Sequence, residues 1–303
     1  FFRFIKEIKD RHYDLLLSPH ESHRSAILAG LSGIPERIGY RSAGFALAYT
    51  RTVERRLELP EVERLLAFFK DAMGIQTTFD PYPELFSTAE SDRRASDLLQ
   101  SYGARQPILI APSSVWATKR WPVWHFSQLI RLLLAAEKSP VFLIGSHADR
   151  KLSAEIIKLL KYMVPDAQQK RVIDLCGQTS FAVLFSLVRK SRLLISNDSA
   201  PVHFAQAARI PIVCIMGPTT PALGYAPVTP ESLVAGVDLP CRPCGTHGSH
   251  VCPLGHFQCM ERLEPDYVFS LARKALLEPA KERNATGPSA VQQSGPHSAG
   301  GVR

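Results

Sequence analysis

From about residue 105 onward, short β-rich apolar runs alternate with segments of helical length, and this alternation constrains the fold more than any other feature. The runs are PILIAP (107–112), PVFLIG (140–145), RVIDLCG (171–177), RLLISN (192–197) and PIVCIMG (211–217). Between most of them lie amphipathic stretches such as HFSQLIRLLLAAEK (125–138) and SAEIIKLLKYMV (153–164). A strand that is apolar at every position must bury both faces, and helices supply the cover. The pattern predicts a doubly wound α/β domain with a parallel sheet, whose ligands sit outside the carboxyl ends of the strands.

The first hundred residues read as part of a second α/β unit. YDLLLSP (13–19) and ERIGYR (36–41) read as strands, SHRSAILAGLSG (22–33) as a helix closed by Gly33, and PEVERLLAFFKDAMG (60–74) as a helix between Pro60 and Gly74. IQTTFDPYPELFST (75–88) has two prolines and little periodicity, as an interdomain linker would. The expected division is therefore 1–88 for the first unit and linker, 89–280 for the second unit, and a disordered Gly/Ser/Pro-rich tail over 281–303.

Composition narrows the function classes. With 303 residues, 45% hydrophobic and 21% charged, the chain is ordinary globular material, and it has no apolar run of about 18 residues to form a membrane helix. The opening FFRFIKEIKDRHYD has charges in every apolar stretch, unlike a secretory signal, so a cytoplasmic location is expected. The net charge of +8 suits a phosphate-bearing ligand or transient, peripheral contact with an anionic inner-membrane surface. Arg and Lys are scattered and not gathered in a stripe with aromatics, so nucleic acid is not expected as a partner.

Polar residues cluster at the ends of the predicted strands. In APSSVWATKRWP (111–122), small residues admit a ligand to the backbone, Ser113, Ser114 and Thr118 offer hydroxyls, and Lys119 offers a charge; a plain polar loop beside core tryptophans explains the same residues. In LIGSHADRKLSAEI (143–156), Asp149 suits a helix cap first and a ribose contact second. In LLISNDSAPVHFAQAA (193–208), a strand runs into Asn197-Asp198-Ser199 and a helix begins near Ala200, with Pro201 tolerated in its first turn. Its first N–H groups can hold a pyrophosphate, Asp198 can fix the loop or meet a sugar, and His203 reads as a core histidine or a ligand contact. Gly217, Thr219 and Thr220 form a hydroxyl-bearing loop that turn chemistry explains equally well.

Taken in order, PSSVWATKRWP, VFLIGSHAD, DLCGQTSFAVLFSLV and LLISNDSAPVHFAQAARIPIVCIMGPTTP resemble the C-terminal domain of the ADP-heptose:lipopolysaccharide heptosyltransferases, glycosyltransferase family 9. The resemblance spans about residues 105–275, YDLLLSPHESHRSAILAGLSGIPERIGYR resembles part of that family's N-terminal domain, and CRPCGTHGSHVCPLGHFQCM (241–260) looks most like the heptosyltransferase II branch. The resemblance implies a GT-B glycosyltransferase of two Rossmann-like domains, the N-terminal one incomplete. It would transfer L-glycero-D-manno-heptose from ADP-heptose to a heptose of the lipid A-core acceptor, with inversion and without a required cofactor or metal. A GT-B transferase for another nucleotide sugar, or a nucleotide-sugar-binding chain without transfer, stays open.

On the same resemblance, Lys119 contacts phosphate and stabilises the leaving group, with Ser113 and Ser114 before it. Asp149 meets the ribose, Thr179 lines the adenine pocket, Asp198, Ser199 and Ala200 hold the diphosphate, and His203 follows one turn later. Arg24, Arg37 and Arg41 are candidates to grip acidic acceptor groups, against a reading as surface arginines. The family's opening strand and Gly-Asp loop, which carries its proposed catalytic aspartate, does not occur in residues 1–40. The expectation is that roughly the first third of a full-length member precedes Phe1, that no base is present, and that the chain binds donor without turning it over. Cys241, Cys244, Cys252 and Cys259 could close a structural zinc site, or could be free or disulfide-prone thiols.

Overall fold

The computed structural model describes residues 1–277 apart from 77, 79 and 81. The expected tail over 281–303 lies outside the described residues. Two parallel sheets are present, each interleaved with helices.

The first unit contains α1 (Phe2–Lys9), β1 (Leu15–Ser18), α2 (His23–Leu31), β2 (Glu36–Tyr40), β3 (Arg51–Val53) and α3 (Glu61–Met73). Its sheet has the order β1-β2-β3, all parallel. Ala26, Ala29 and Tyr49 fill one core, and Ile38, Tyr40, Val53, Phe68 and Ala72 fill another. Gly74 ends α3 at φ 69°, in the left-handed region that a residue with a Cβ enters only with strain.

The second unit contains α4 (Ala89–Ser101), β4 (Ile108–Ala111), α5 (Val123–Ala136), β5 (Val141–Leu143), α6 (Arg150–Leu160), α7 (Asp166–Gln169) and β6 (Val172–Asp174). There follow α8 (Phe181–Arg189), β7 (Leu193–Asn197), α9 (Pro201–Ala207), β8 (Ile212–Ile215), β9 (Ser232–Ala235), α10 (Gln258–Glu261) and α11 (Pro265–Leu277). All neighbours are parallel and the order is β6-β5-β4-β7-β8-β9. Successive side chains of a strand point to opposite faces, which explains the uninterrupted apolar runs. Ile108, Ile110, Leu193 and Ile195 pack toward α5, α6 and α11. Leu109, Leu194 and Ile212 pack toward α4, α8 and α9. Burying one such side chain contributes about 1.5–3 kcal/mol, so both faces are strongly specified.

The chain leaves β4 toward β5 and β6 on one side and returns at β7 to build the other side. Ala111 of β4 lies opposite Ser196 of β7, so the loops after these strands diverge and leave a crevice at their carboxyl ends. The two units touch through α3. Buried Arg64 donates to the carbonyl of Leu223 at 3.0 Å, and the Glu61 N–H donates to that of Gly224 at 2.9 Å. The runs read as β4 to β8 in the sequence are strands here, whereas β3 and β9 carried no signal strong enough to read. No helix among the described residues is long and apolar enough to cross a membrane.

Candidate functional site

Three loops after β4, β5 and β7 build the crevice, and Asn197 at the end of β7 fixes the first of them. Its side chain is fully buried. Asn197 Oδ1 accepts the Trp121 N–H at 3.1 Å and Nδ2 donates to the Pro112 carbonyl at 2.7 Å. One side chain thus ties both ends of the 112–121 loop to the strand. Within that loop, Lys119 Nζ lies 2.5 Å from Asp198 Oδ2, an ion pair with both side chains nearly buried. Thr219 Oγ1 donates to the same carboxylate at 2.8 Å. The loops after β4, β7 and β8 therefore meet at a single acidic group.

On the other side of β4, Asp149 organises the loop after β5. One carboxylate oxygen accepts from the Ser113 hydroxyl, and the other accepts from the Ser146 N–H and hydroxyl, each at 2.7 Å. Burial alone would raise the Asp149 carboxyl, but the hydrogen bonds from Ser113 and Ser146 outweigh it and hold the carboxyl below its usual value of 3.8. A depressed folded-state value contributes stability that is complete above 3.8 and is lost as pH falls through the folded value. Asp149→Asn should therefore narrow its stability gap to the wild type when urea midpoints are compared at about pH 6 and about pH 3. A gap independent of pH would contradict this account.

Gly177, at φ 69°, brings the loop after β6 against the loop after β5. A Cβ there would lie 2.7 Å from His147 Cα, so glycine is required for the approach. At the start of α8, Phe181 is 77% exposed and stacks on Phe204 of α9, with ring centroids 6.1 Å apart.

These elements enclose a cavity of about 840 Å3, within the roughly 300–1,000 Å3 range of small-molecule sites. Ser113, Ser114, Asp149, Thr179, Ser199 and Ala200 line it, together with Arg120, Gly145, Ser146, His147, Phe181, Leu184 and Phe204. One part of the lining is polar and hydrogen-bonded around Asp149, and another is apolar around the Phe181–Phe204 stack. Of the residues singled out in the sequence, Lys119 and Asp198 are paired with each other and are not among those lining this cavity. His203 does not join it: the residue is exposed, and its Nδ1 lies 3.2 Å from Gln206 Oε1. Neither the core nor the cavity holds its ring.

Among the arginines of the first unit, Arg37 is committed to structure. Its guanidinium donates to the carbonyls of Ala48 at 2.9 Å and of Ile34. Arg41 is exposed and lies 3.7 Å from Glu54, and Arg24 is exposed.

The cysteine-rich loop does not assemble the possible zinc site. No group of three or more His, Cys, Asp or Glu among the described residues is placed to hold a metal ion. All four thiols are free, with Cys252 and Cys259 buried and Cys244 exposed. The loop instead clamps the site. The Thr118 N–H donates to the Ser249 carbonyl at 3.0 Å, and the Ser249 N–H donates to the Thr118 hydroxyl at 2.8 Å. Trp116 stacks on His247 at 5.0 Å, and a Cβ on Gly248 would lie 2.5 Å from Trp116 Cβ. Arg242 donates to the carbonyls of Met216 at 2.8 Å and Thr219 at 2.9 Å, holding the loop after β8.

Known proteins are similar to this chain in sequence and in fold. The profile of glycosyltransferase family 9 (heptosyltransferase) matches residues 1–254. Lipooligosaccharide heptosyltransferase 2 of Campylobacter jejuni is 28% identical over 217 residues, covering 71% of this chain and 64% of that protein. Lipopolysaccharide heptosyltransferase 2 of Escherichia coli K12 is 27% identical over 223 residues, covering 71% and 62%. The chain thus matches less than two thirds of the length of these relatives. Among solved structures, Escherichia coli ADP-heptose LPS heptosyltransferase II superposes with a TM-score of 0.70 at 22% identity, covering 91% of this chain and 80% of that one. A family 9 glycosyl transferase from Veillonella parvula superposes with a TM-score of 0.71 at 18% identity, covering 91% and 77%. The two parallel-sheet units are those of the GT-B fold, and the chain belongs to glycosyltransferase family 9, the heptosyltransferases.

Proposed function

We propose that the second unit binds ADP-heptose and that the protein transfers its heptose to a heptose of the lipid A-core acceptor, with inversion. The observation that carries the donor assignment is the cavity at the β4/β7 switch point, where a polar wall and an aromatic stack face one ligand-sized space. The relatives named for lipopolysaccharide and lipooligosaccharide heptosyltransferase 2 support the choice of sugar and acceptor.

In this reading, residues 1–88 are the acceptor-side unit and linker, and 89–280 the donor unit. Adenine lies toward Thr179 and the exposed face of Phe181, and the ribose toward Asp149. The diphosphate lies toward Ser113, Ser114 and the backbone N–H groups of Ser199 and Ala200. Inverting transfer forms a bond from the acceptor oxygen to the anomeric carbon as the bond from that carbon to the diphosphate breaks. The departing ADP gains charge, and fixed N–H groups and cations stabilise it. Lys119 contributes by holding Asp198, and through it the turn that presents Ser199 and Ala200. Arg24 and Arg41 are exposed on the acceptor-side unit and serve there as acceptor contacts; Arg37 is retained in the fold. No residue is assigned as the base. The net charge of +8 suits transient contact with an anionic membrane surface, where the acceptor lipid resides.

Calorimetric titration with ADP, UDP and ADP-heptose, followed by a transfer assay on a heptose-bearing lipid acceptor, tests the reading. Saturable binding with ADP preferred over UDP, and transfer of heptose, is expected. Equal binding of UDP favours a different nucleotide sugar. Binding without transfer favours a donor-binding chain, and no binding removes the donor assignment.

A further inference from the structure

We infer that Arg64 is a positioning residue: it holds the acceptor-side unit in one place against the donor cavity. The inference rests on the donor reading above, which puts the two substrates on different units. Arg64 lies on α3 of the first unit and is only 4% exposed. Its Nε donates to the Arg56 carbonyl at 3.2 Å, and its Nη2 donates to that of Leu57. Its Nη1 donates to Glu61 Oε2 and, across the boundary, to the Leu223 carbonyl, each at 3.0 Å. A lysine, with a single nitrogen, cannot span all of these acceptors. Glu61 also pairs with Arg55 at 3.0 Å, and Arg55 reaches Glu21 as well. The anchor is thereby tied to the loops after β1 and β3.

The receiving segment belongs to the second unit and is stiff. Pro221–Leu223 forms a 3-10 turn. The Leu223 N–H donates to the Thr220 carbonyl at 3.1 Å, and the Gly224 N–H to that of Pro221 at 2.8 Å. Gly224 has φ 85°, and a Cβ there would lie 2.9 Å from Arg64 Nη2 and 3.1 Å from the Leu59 carbonyl oxygen. Glycine is therefore what lets the two units approach here. At its other end the same segment carries Thr219, which donates to Asp198 in the turn after β7. One short strut thus runs from the donor turn to a buried arginine of the other unit. Units joined by a linker move relative to each other unless contacts hold them. Transfer needs the acceptor oxygen about 3–3.5 Å from the anomeric carbon, and a displacement of about 1 Å can cost about 100-fold in rate.

Arg64→Lys and Gly224→Ala, each made in the full chain, test the anchor from its two sides. Gly224→Ala keeps the Arg64 charge paired with Glu61, and so serves if Arg64→Lys fails to fold. Small-angle scattering and amide exchange report the arrangement of the units, and ADP titration and heptose transfer report its use. Both variants should show a larger radius of gyration and faster exchange over residues 219–224. Their kcat should fall about 10- to 100-fold, with ADP affinity within about three-fold of the wild type. Donor affinity is retained because Thr219 stays held by Asp198 and by Arg242. A merely structural role would lower ADP affinity and kcat together. Scattering and exchange unchanged in both variants, or ADP affinity falling as far as kcat, would overturn the inference. A wild type that binds no ADP would instead remove the donor reading, and scattering and exchange would still decide the anchor.

Discussion

Asp198→Ala is expected to destabilise the protein by about 3–5 kcal/mol, the typical loss when one partner of a buried ion pair is removed. The large effect follows from burial, because Lys119 and Asp198 expose only 11% and 13% of their side chains. The alanine variant leaves an ammonium with no counter-charge in a site that also loses the Thr219 contact. Replacing both partners, as Lys119→Met with Asp198→Ala, removes the stranded charge and should recover most of the stability. Nucleotide binding should not return with it, since the turn at Ser199 and Ala200 loses its tether in both variants. Urea unfolding at constant m-value measures the first effect and ADP titration the second. A single variant as stable as the wild type would contradict the buried pair.

Asn197→Leu is expected to cost about 2–6 kcal/mol, since two buried backbone groups lose their partners at roughly 1–3 kcal/mol each. The Trp121 N–H and the Pro112 carbonyl bond to this one amide, and leucine can serve neither. ADP affinity should fall as well, although Asn197 is not part of the cavity wall, because the 112–121 loop carries Ser113, Ser114 and Arg120. Thermal melting and ADP titration check the two effects together. An unchanged melting temperature would show that the loop is held by other contacts.

The strands that could be read from the sequence are those buried on both faces. ILIA, LLISN and IVCI are wholly buried, so every position is apolar or small apart from Asn197, whose amide is hydrogen-bonded. RTV of β3 and SLVA of β9 lie at sheet edges, are only partly buried and are three and four residues long, too short for a period to show. The positions of Ser113, Ser114, Asp149, Ser199 and Ala200 followed from strand ends and that of Thr179 from the family resemblance, and all six line the cavity. What each side chain bonds was less accessible. Lys119 and Asp198 are 79 residues apart, and nothing local signals that they neutralise each other. Asn197 looked like a turn residue because its two partners lie far along the chain.

The cysteine spacing left zinc and free thiols both open, because intervals alone permit a metal site without requiring one; the thiols are free, and Ser249, His247 and Arg242 hold the loop to the site. Arg120 and Phe181 had no motif to mark them; each is apparent only as an exposed side chain turned toward a cavity.

The central claim is that the cavity beyond β4 and β7 receives the nucleotide sugar. Amide hydrogen exchange with and without saturating ADP-heptose tests it most directly, because protection reports where the ligand sits. The expected result is slower exchange at residues 113–115, 145–149, 177–181 and 199–202, with the first unit's sheet unchanged. Protection confined to other segments, or none under conditions where binding is saturated, would contradict the account.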